Sequence, residues 1–351
     1  MQALFNIINV PLGWVLENLA NIFGGSFAAA VFVFTLLINV VLIPLNIKSQ
    51  KSSVQQTRIK PKLDEIKKEC GDDRQKYSQE TQKLYQEEGV SMGGGCLPLI
   101  LRMVLMLSIY WLILSPLTYM TGVDKTKLEN VTNTISTSMT DMKKNDKDKY
   151  ENFKKELSWR DGGSYNELNV VNIIRNNKEE LLEKYIGEKK FNKIEKDLAY
   201  VAKKDTEVGI DYSFITKKIN LTETPKFSMN IFRDAKWIWT MPVLAFLSQM
   251  LSSVLSMKMQ KKINPDAPSM AGMMLMMPLM TLFIGFGMPG GVAFYWACSS
   301  LIGGFIQLGV QYFYGPHKML ARERAKELSA RCKFEEGQIK KISAKTQSEA
   351  E

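Results

Sequence analysis

The chain is 351 residues long and carries 46 Lys and Arg against 36 Asp and Glu, a formal net charge of +10. It has one His and four Cys without a CxxC pair, which argues against a disulfide framework and a Cys-based zinc site. Its hydrophobic residues, 45% of the total, are clustered, which excludes an ordinary soluble domain. The clusters, each about the 20 residues that cross a bilayer core, are 24–45, 97–117, 237–257, 271–289 and 291–313. They predict an all-α membrane protein with a bundle of five transmembrane helices.

The N-terminal segment 1–23 has apolar positions at roughly helical spacing, including Leu4, Ile8, Leu16 and Phe23. This pattern is typical of an amphipathic helix that lies in the membrane interface before the first span. The alternative is a simple extension of that span. The segment has no basic n-region and no small-residue cleavage site, so it does not resemble a cleaved signal peptide.

The Lys and Arg content of the connections predicts the orientation of the chain. Residues 48–92 hold ten Lys and Arg, 258–270 hold three, and 314–351 hold nine. With five spans these segments fall on one side, which is therefore predicted to be cytoplasmic, and the N-terminus lies outside. Residues 121–236 are also rich in Lys, but long domains cross the membrane regardless of charge.

Two long polar segments have helical patterns of their own. In 48–94, Gly71 is placed to end one helix and Asp72 or Asp73 to cap a second, which predicts a cytoplasmic helical hairpin. The hairpin is either a folded-back linker or a docking arm for cytosolic partners. The Lys-, Glu- and Asn-rich residues 121–209 predict a small, mostly α domain on the outer side.

The segment boundaries follow the changes of composition along the chain. The spans are predicted at 24–47, 95–118, 237–257, 271–289 and 291–313. The segments outside the membrane core are the interfacial helix 1–23, the hairpin 48–94, the outer region 119–236, the loop 258–270 and the basic tail 314–351.

Two polar residues interrupt the apolar runs, Asn39 in "LINVVLIPLN" and Arg102 in "CLPLILRMVLM". A charged residue at the centre of a transmembrane helix costs about 2.5–3.5 kcal/mol on insertion scales, so it normally faces a wet cavity. Two alternatives remain. Arg102 lies near the end of its span and can reach the headgroups, and Asn39 can bond a neighbouring helix.

Catalytic motifs are absent from the sequence. It contains no G-x-x-x-x-G-K-[ST] and no H-E-x-x-H, and its one His, His317, lies in the tail. We therefore expect no enzymatic activity, no cofactor and no metal.

Several stretches together resemble the YidC/Oxa1/Alb3 family of membrane protein insertases, in the five-span form typical of Gram-positive bacteria. They are "PLGWVLENLANIFG", "FTLLINVVLIPLNIKSQKS", "PKLDEIKKECGDDRQKYSQETQKLYQEEGVSMGGGCLPLILRM", "INLTETPKFS" and "MPGGVAFYWACSSLIGGFIQLGVQYF". They occur in the family's order and cover most of the chain except 121–209 and the tail.

The resemblance implies a hydrophilic groove inside the bundle, where a positive residue of the first span draws in the polar or acidic part of a client protein. In the family this residue is an Arg five positions before the span-one Pro, but here Pro44 places Asn39 at that position. Arg102 stands where the family pattern has Gln. We hypothesise that the charge has moved to the second span within one groove. The residues assigned to the groove are Thr35, Asn39, Arg102, Gln249, Ser252, Trp296, Ser299, Ser300 and Gln307.

The function implied is an energy-independent insertase and chaperone of the plasma membrane. Its implied partners are client membrane proteins, the ribosome through the basic tail and cytoplasmic loops, the Sec translocon and anionic lipids. One alternative is a small-solute transporter or channel, although the sequence lacks the internal repeats that many transporters show. Another is a membrane-anchored receptor, which would not need polar residues in several spans.

Overall fold

The computed structural model describes residues 2–71, 73–90, 97–214, 218–225, 236–263, 271–315, 318, 321, 325 and 328–339. Its regular elements are almost all helical, so the predicted all-α fold class is confirmed. In chain order the helices are α1 (Gln2–Ile22), α2 (Phe27–Val41), α3 (Ile43–Cys70), α4 (Arg74–Glu87), α5 (Leu97–Leu114), α6 (Pro116–Tyr119), α7 (Lys125–Asn145), α8 (Lys147–Glu156), α9 (Asn166–Arg175), α10 (Glu179–Ile186), α11 (Glu188–Val208), α12 (Thr240–Ile263), α13 (Ala271–Gly285) and α14 (Gly290–Tyr314). Residues 328–339 are also helical, and β1 (Ser213–Phe214) pairs antiparallel with β2 (Ile219–Asn220).

Two helices of the described residues are long and apolar enough to cross a membrane, Trp237–Lys258 and Gly290–Tyr314. A third candidate span results if α2 and the start of α3 are taken together. Two shorter apolar helices, Met103–Leu114 and Met276–Gly285, coincide with the second and fourth predicted spans. The count of five spans therefore stays a prediction.

Helix boundaries differ from the predicted segment boundaries at two places. Helix α2 ends at Val41, inside the first predicted span, and α3 then runs without a break from that span into the predicted hairpin. Pro44 explains the early break, because proline lacks an N–H and is accommodated in the first turn of a new helix. At the end of the third predicted span, α12 continues to Ile263, into the predicted loop 258–270.

The N-terminal helix α1 is a separate element and not an uninterrupted extension of the first span. Gly24 and Gly25 end it with φ of 63° and 85°, a left-handed backbone that favours glycine. Gly13 allows close packing, since a Cβ there would lie 2.4 Å from the backbone oxygen of Tyr119. The hydroxyl of the same tyrosine donates to Asn6 Oδ1 at 2.8 Å.

The described residues divide into two compact units. The first comprises Met1–Val40, Met103–Met257 and Pro268–Gly303. It contains one contiguous apolar core that includes residues of α1, α2, α5, α14 and α7–α11. We call the helices α7–α11 the inserted domain. The inserted domain and the apolar helices of this unit therefore fold around a shared core.

The inserted domain is built on the packing of α7 against α11. Val131, Ile135, Ile194 and Val201 are fully buried between them. The same domain contains a buried ion pair between Arg175 and Asp205.

The Arg175 guanidinium donates two hydrogen bonds of 2.7 Å to the carboxylate of Asp205, a residue that is only 4% exposed. Arg175 also donates to the backbone oxygen of Ile210 at 2.5 Å and lies over the ring of Tyr212. Burial alone would lower the pKa of Arg175, but the bonded Asp205 carboxylate raises it. The pair thus fixes the end of α9, where Arg175 lies, to the last turn of α11 and to the segment that follows it.

The second unit comprises Val41–Arg102, Lys258–Ala267 and Gly304–Glu351. As predicted, Gly71 ends α3, and Asp73 caps α4 by accepting from the backbone N–H groups of Gln75 and Lys76. Asp72 lies outside the described residues. Glu88, just after α4, pairs with Arg58 and Lys62 of α3 and so closes the hairpin.

Candidate functional site

The apolar helices of the first unit meet tightly at one end, where α2 and α14 begin and α5 ends. A Cβ at Gly291 would lie 3.4 Å from the Phe27 ring and 3.5 Å from the Ile113 side chain. It would also lie 3.3 Å from the backbone oxygen of Leu221. We call this packed end, formed by Phe27, Ile113 and Gly291, the closed end. The absence of a side chain at Gly291 lets the three helices approach there.

The segment that follows the inserted domain covers the closed end. The ring of Tyr212 lies 4.9 Å from that of Phe27, and the ring of Phe214 lies 4.9 Å from that of Phe294. The backbone N–H of Phe27 donates to Asp211 O at 3.0 Å. The start of α2 is therefore both packed and hydrogen-bonded from outside the bundle.

Polar groups without hydrogen-bond partners lie just beyond the closed end. The Ser108 hydroxyl of α5 and the Trp296 indole Nε1 of α14 are buried and have no partner among the described residues. At a rise of about 1.5 Å per residue, both residues are about 7.5 Å along their helices from the closed end. A buried donor without a partner is costly, so this level offers hydrogen bonds to a bound polar group or water.

A second polar level lies deeper, at Thr35 of α2 and Ser299 of α14. Both are about 12 Å along their helices from the closed end, counted at about 1.5 Å per residue. Thr35 is 1% exposed, and its hydroxyl donates to Val31 O at 2.6 Å. The buried amide of Asn39, a further turn along α2, donates to Thr35 O at 2.8 Å. This donor is thus satisfied within its own helix.

Three more of the predicted groove residues join helices to one another. The Ser252 hydroxyl of α12 donates to the backbone oxygen of Ser300 in α14 at 2.7 Å. Gln249 Oε1, also on α12, accepts from the Thr281 hydroxyl of α13 at 2.7 Å. These contacts favour a packing role for Gln249 and Ser252, a role that polar residues commonly have between membrane helices.

Two predicted site residues belong to the second unit. Gln307 Nε2 donates to Gln50 Oε1 at 3.3 Å. Arg102 lies within α5, but its side chain is outside the described part of the structure. His317 of the tail also lies outside it. The structure therefore leaves the relation of Asn39 to Arg102 a prediction and brings the other predicted residues into one unit: Thr35, Asn39, Gln249, Ser252, Trp296, Ser299 and Ser300.

Sequence reasoning missed Ser108, Thr281 and Arg160, each of which contributes a polar group at a helix contact or buried position. For the first two, the available signal was a single hydroxyl within an apolar run. Across the part of the chain that the structure describes, no three His, Cys, Asp or Glu side chains gather in a metal-binding group.

Long apolar helices that pack around a shared core define an all-α, multi-span membrane protein. A family model described as 60Kd inner membrane protein matches residues 18–192 and 209–316, and the chain belongs to this family. The match extends into the inserted domain, which the sequence resemblance did not cover.

Similar proteins carry the name membrane protein insertase YidC. One from Listeria monocytogenes serotype 4b, YidC 1, is 38% identical over 104 residues, which are 28% of this chain and 36% of the relative. One from Oceanobacillus iheyensis is 36% identical over 114 residues, 31% of this chain and 45% of the relative. One from Dechloromonas aromatica is 35% identical over 108 residues, 31% of this chain and 20% of the relative. The chain thus spans less than half the length of these relatives.

Proposed function

We propose that this protein is a membrane protein insertase and chaperone. The observation that carries the proposal is the succession of buried polar groups below a closed end, in a chain of this family. A client enters the polar interior with its hydrophilic segment, and its apolar segment leaves sideways into lipid. Burial of apolar surface supplies about 25 cal/mol per Å², so the proposed process needs no ATP.

The proposed groove includes a relocated positive charge. Asn39 occupies the position of the family's first-span Arg, and it is a neutral amide whose donor bonds its own helix. We assign the attraction of acidic client segments to Arg102 of α5. A guanidinium suits this role because it binds carboxylates in a bidentate geometry.

The insertion of purified clients into vesicles tests the charge. Arg102→Ala is expected to impair clients with acidic outer segments and to spare a matched client whose outer segment is uncharged. Arg102→Lys should retain part of the activity, and Asn39→Arg combined with Arg102→Gln should restore it. Protease-protected client is the measurement. Full insertion of the acidic client by Arg102→Ala would refute the relocated charge, whereas failure of the unaltered protein with every client would refute the insertase.

The proposed topology has five spans, with the hairpin and tail in the cytoplasm and the inserted domain outside. Its support is the distribution of Lys and Arg over the short connections. In a chain free of other Cys, Glu180→Cys should be labelled in intact cells and Lys76→Cys should not. The opposite pattern would contradict this orientation.

The proposed partners beyond the clients are the ribosome, the Sec translocon and anionic lipids. The basic tail supports the first, because Lys and Arg bind phosphate backbones in a salt-dependent manner. Deletion of 318–351 should reduce co-sedimentation with ribosomes at low salt. Unchanged co-sedimentation would leave lipid binding as the role of these charges.

A further inference from the structure

Arg160 connects the inserted domain to the turn between α13 and α14. Its guanidinium donates to the hydroxyl of Thr224 and to the backbone oxygen of Gly287. Its own backbone is held on both sides by Asn169, which accepts from Arg160 N at 3.1 Å and donates to Arg160 O at 2.8 Å. The side chain is therefore projected from a fixed point toward the turn.

The partners of this cation are neutral. No carboxylate lies within ion-pair distance of Arg160 among the described residues, and its guanidinium stacks 3.9 Å from the ring centroid of Tyr165. Burial lowers its pKa, as expected for a cation withdrawn from water without a counter-ion. A guanidinium that binds a carbonyl just past a helix C-terminus is favoured by the negative end of the helix dipole.

The helix before this turn, α13, exposes several large apolar side chains. Met276, Met277, Met280 and Phe283 of α13 are each more than half exposed. Its contacts with α12 include the Thr281 hydrogen bond to Gln249 and the approach of Gly285 to Pro242. In the turn itself, the ring of Phe286 lies 5.2 Å from that of Trp239. The bond from Arg160 to Gly287 O adds a polar contact to this packing just past the end of α13.

The start of α14 is held by the same region of the chain. The backbone N–H groups of Gly290 and Gly291 donate to the oxygens of Glu223 and Leu221, each at 2.7 Å. Thr224, the partner of Arg160, directly follows Glu223. Arg160 thus holds together the two backbone segments that these bonds join.

We propose that Arg160 is a positioning residue, by which the inserted domain fixes the turn 286–289 and the start of α14. The depth of Trp296, Ser299 and Ser300 along α14 depends on that start. The consequence for client insertion rests on the proposed function, but the positioning itself does not.

Hydrogen exchange of the full chain in nanodiscs tests the positioning. In Arg160→Gln, exchange at the amides of Gly290 and Gly291 should rise about tenfold to a hundredfold, the range for losing hydrogen bonds to a charged group. Peptides from α7 should not change. Arg160→Lys keeps the charge and should give an intermediate rise, and Lys155→Gln, which removes an exposed charge on α8, should give none.

Two outcomes would overturn the proposal: unchanged exchange at both glycines, or an equal rise in α7, which would mean that Arg160 only stabilises its own domain. Client insertion is measured on the same variants. Arg160→Gln should lower it and Arg160→Lys should partly rescue it, and normal insertion by Arg160→Gln would refute the consequence for clients. If the unaltered chain inserts no client, the proposed function fails while the exchange result still decides the positioning.

Discussion

Substitution of Asp205 by Ala removes one partner of the buried ion pair in the inserted domain. Arg175 would keep its bond to Ile210 O but lose both bonds to the carboxylate, while its side chain is only 26% exposed. Removing one partner of a buried pair costs about 3–5 kcal/mol, because the remaining charge stays desolvated. Since about 1.4 kcal/mol is a factor of ten, exchange of amides in the core of α11 should accelerate by about a hundredfold or more.

The matched control is Asp141→Ala on α7, which breaks the exposed pair of Asp141 with Lys190 in the same domain. Their side chains are 55% and 43% exposed, so the pair is worth at most about 1 kcal/mol and exchange should rise less than about tenfold. Hydrogen exchange by mass spectrometry in nanodiscs compares both variants with the unaltered chain. If Asp205→Ala exchanges no faster than Asp141→Ala, the buried pair does not hold α11 as argued.

Two further predictions concern the junction of the inserted domain with the apolar helices. Gly25→Ala should lower the thermal melting temperature far more than Gly24→Ala. Both glycines have positive φ, but only at Gly25 would the new Cβ lie 2.5 Å from Gly209 O. Equal decreases in melting temperature would mean that backbone strain alone matters. Burial raises the pKa of Glu167, although its carboxylate accepts from Thr118 N and Oγ1. A raised folded-state pKa gives stability that is present below the unfolded value and lost as pH rises through the folded value. Glu167→Gln should therefore raise the melting temperature relative to the unaltered chain, and this increase should be larger at pH 8 than at pH 4.5. An increase that does not grow with pH would contradict the raised pKa.

Local signals in the sequence predicted several features correctly. Gly71 and Asp73 mark the turn of the hairpin, since a glycine with positive φ and a capping carboxylate act within a few residues of their own position. Hydropathy located the apolar helices, but it did not predict that α3 runs on through the end of the first apolar run. A change from apolar to polar residues marks where lipid ends and does not by itself interrupt backbone hydrogen bonds.

Long-range contacts could not be read from the same patterns. The groove prediction grouped Gln249 and Ser252 by their polarity, whereas the structure directs one toward α13 and the other toward α14. Arg160 gave no signal at all, because it is one cation within a Lys-rich domain. Which partner a polar side chain finds depends on helix rotation and packing, and periodicity determines neither.

The bonds that join Gly25 and Phe27 to Asp211 have a consequence for how the protein is made. The chain is synthesised from its N-terminus, so the start of α2 is made long before residue 211, which provides its hydrogen-bond partner. The final packing of the start of α2 therefore waits for the segment that follows the inserted domain, because contacts of large sequence separation form late. The first helices of this chain thus reach their final contacts only after its later part has been made.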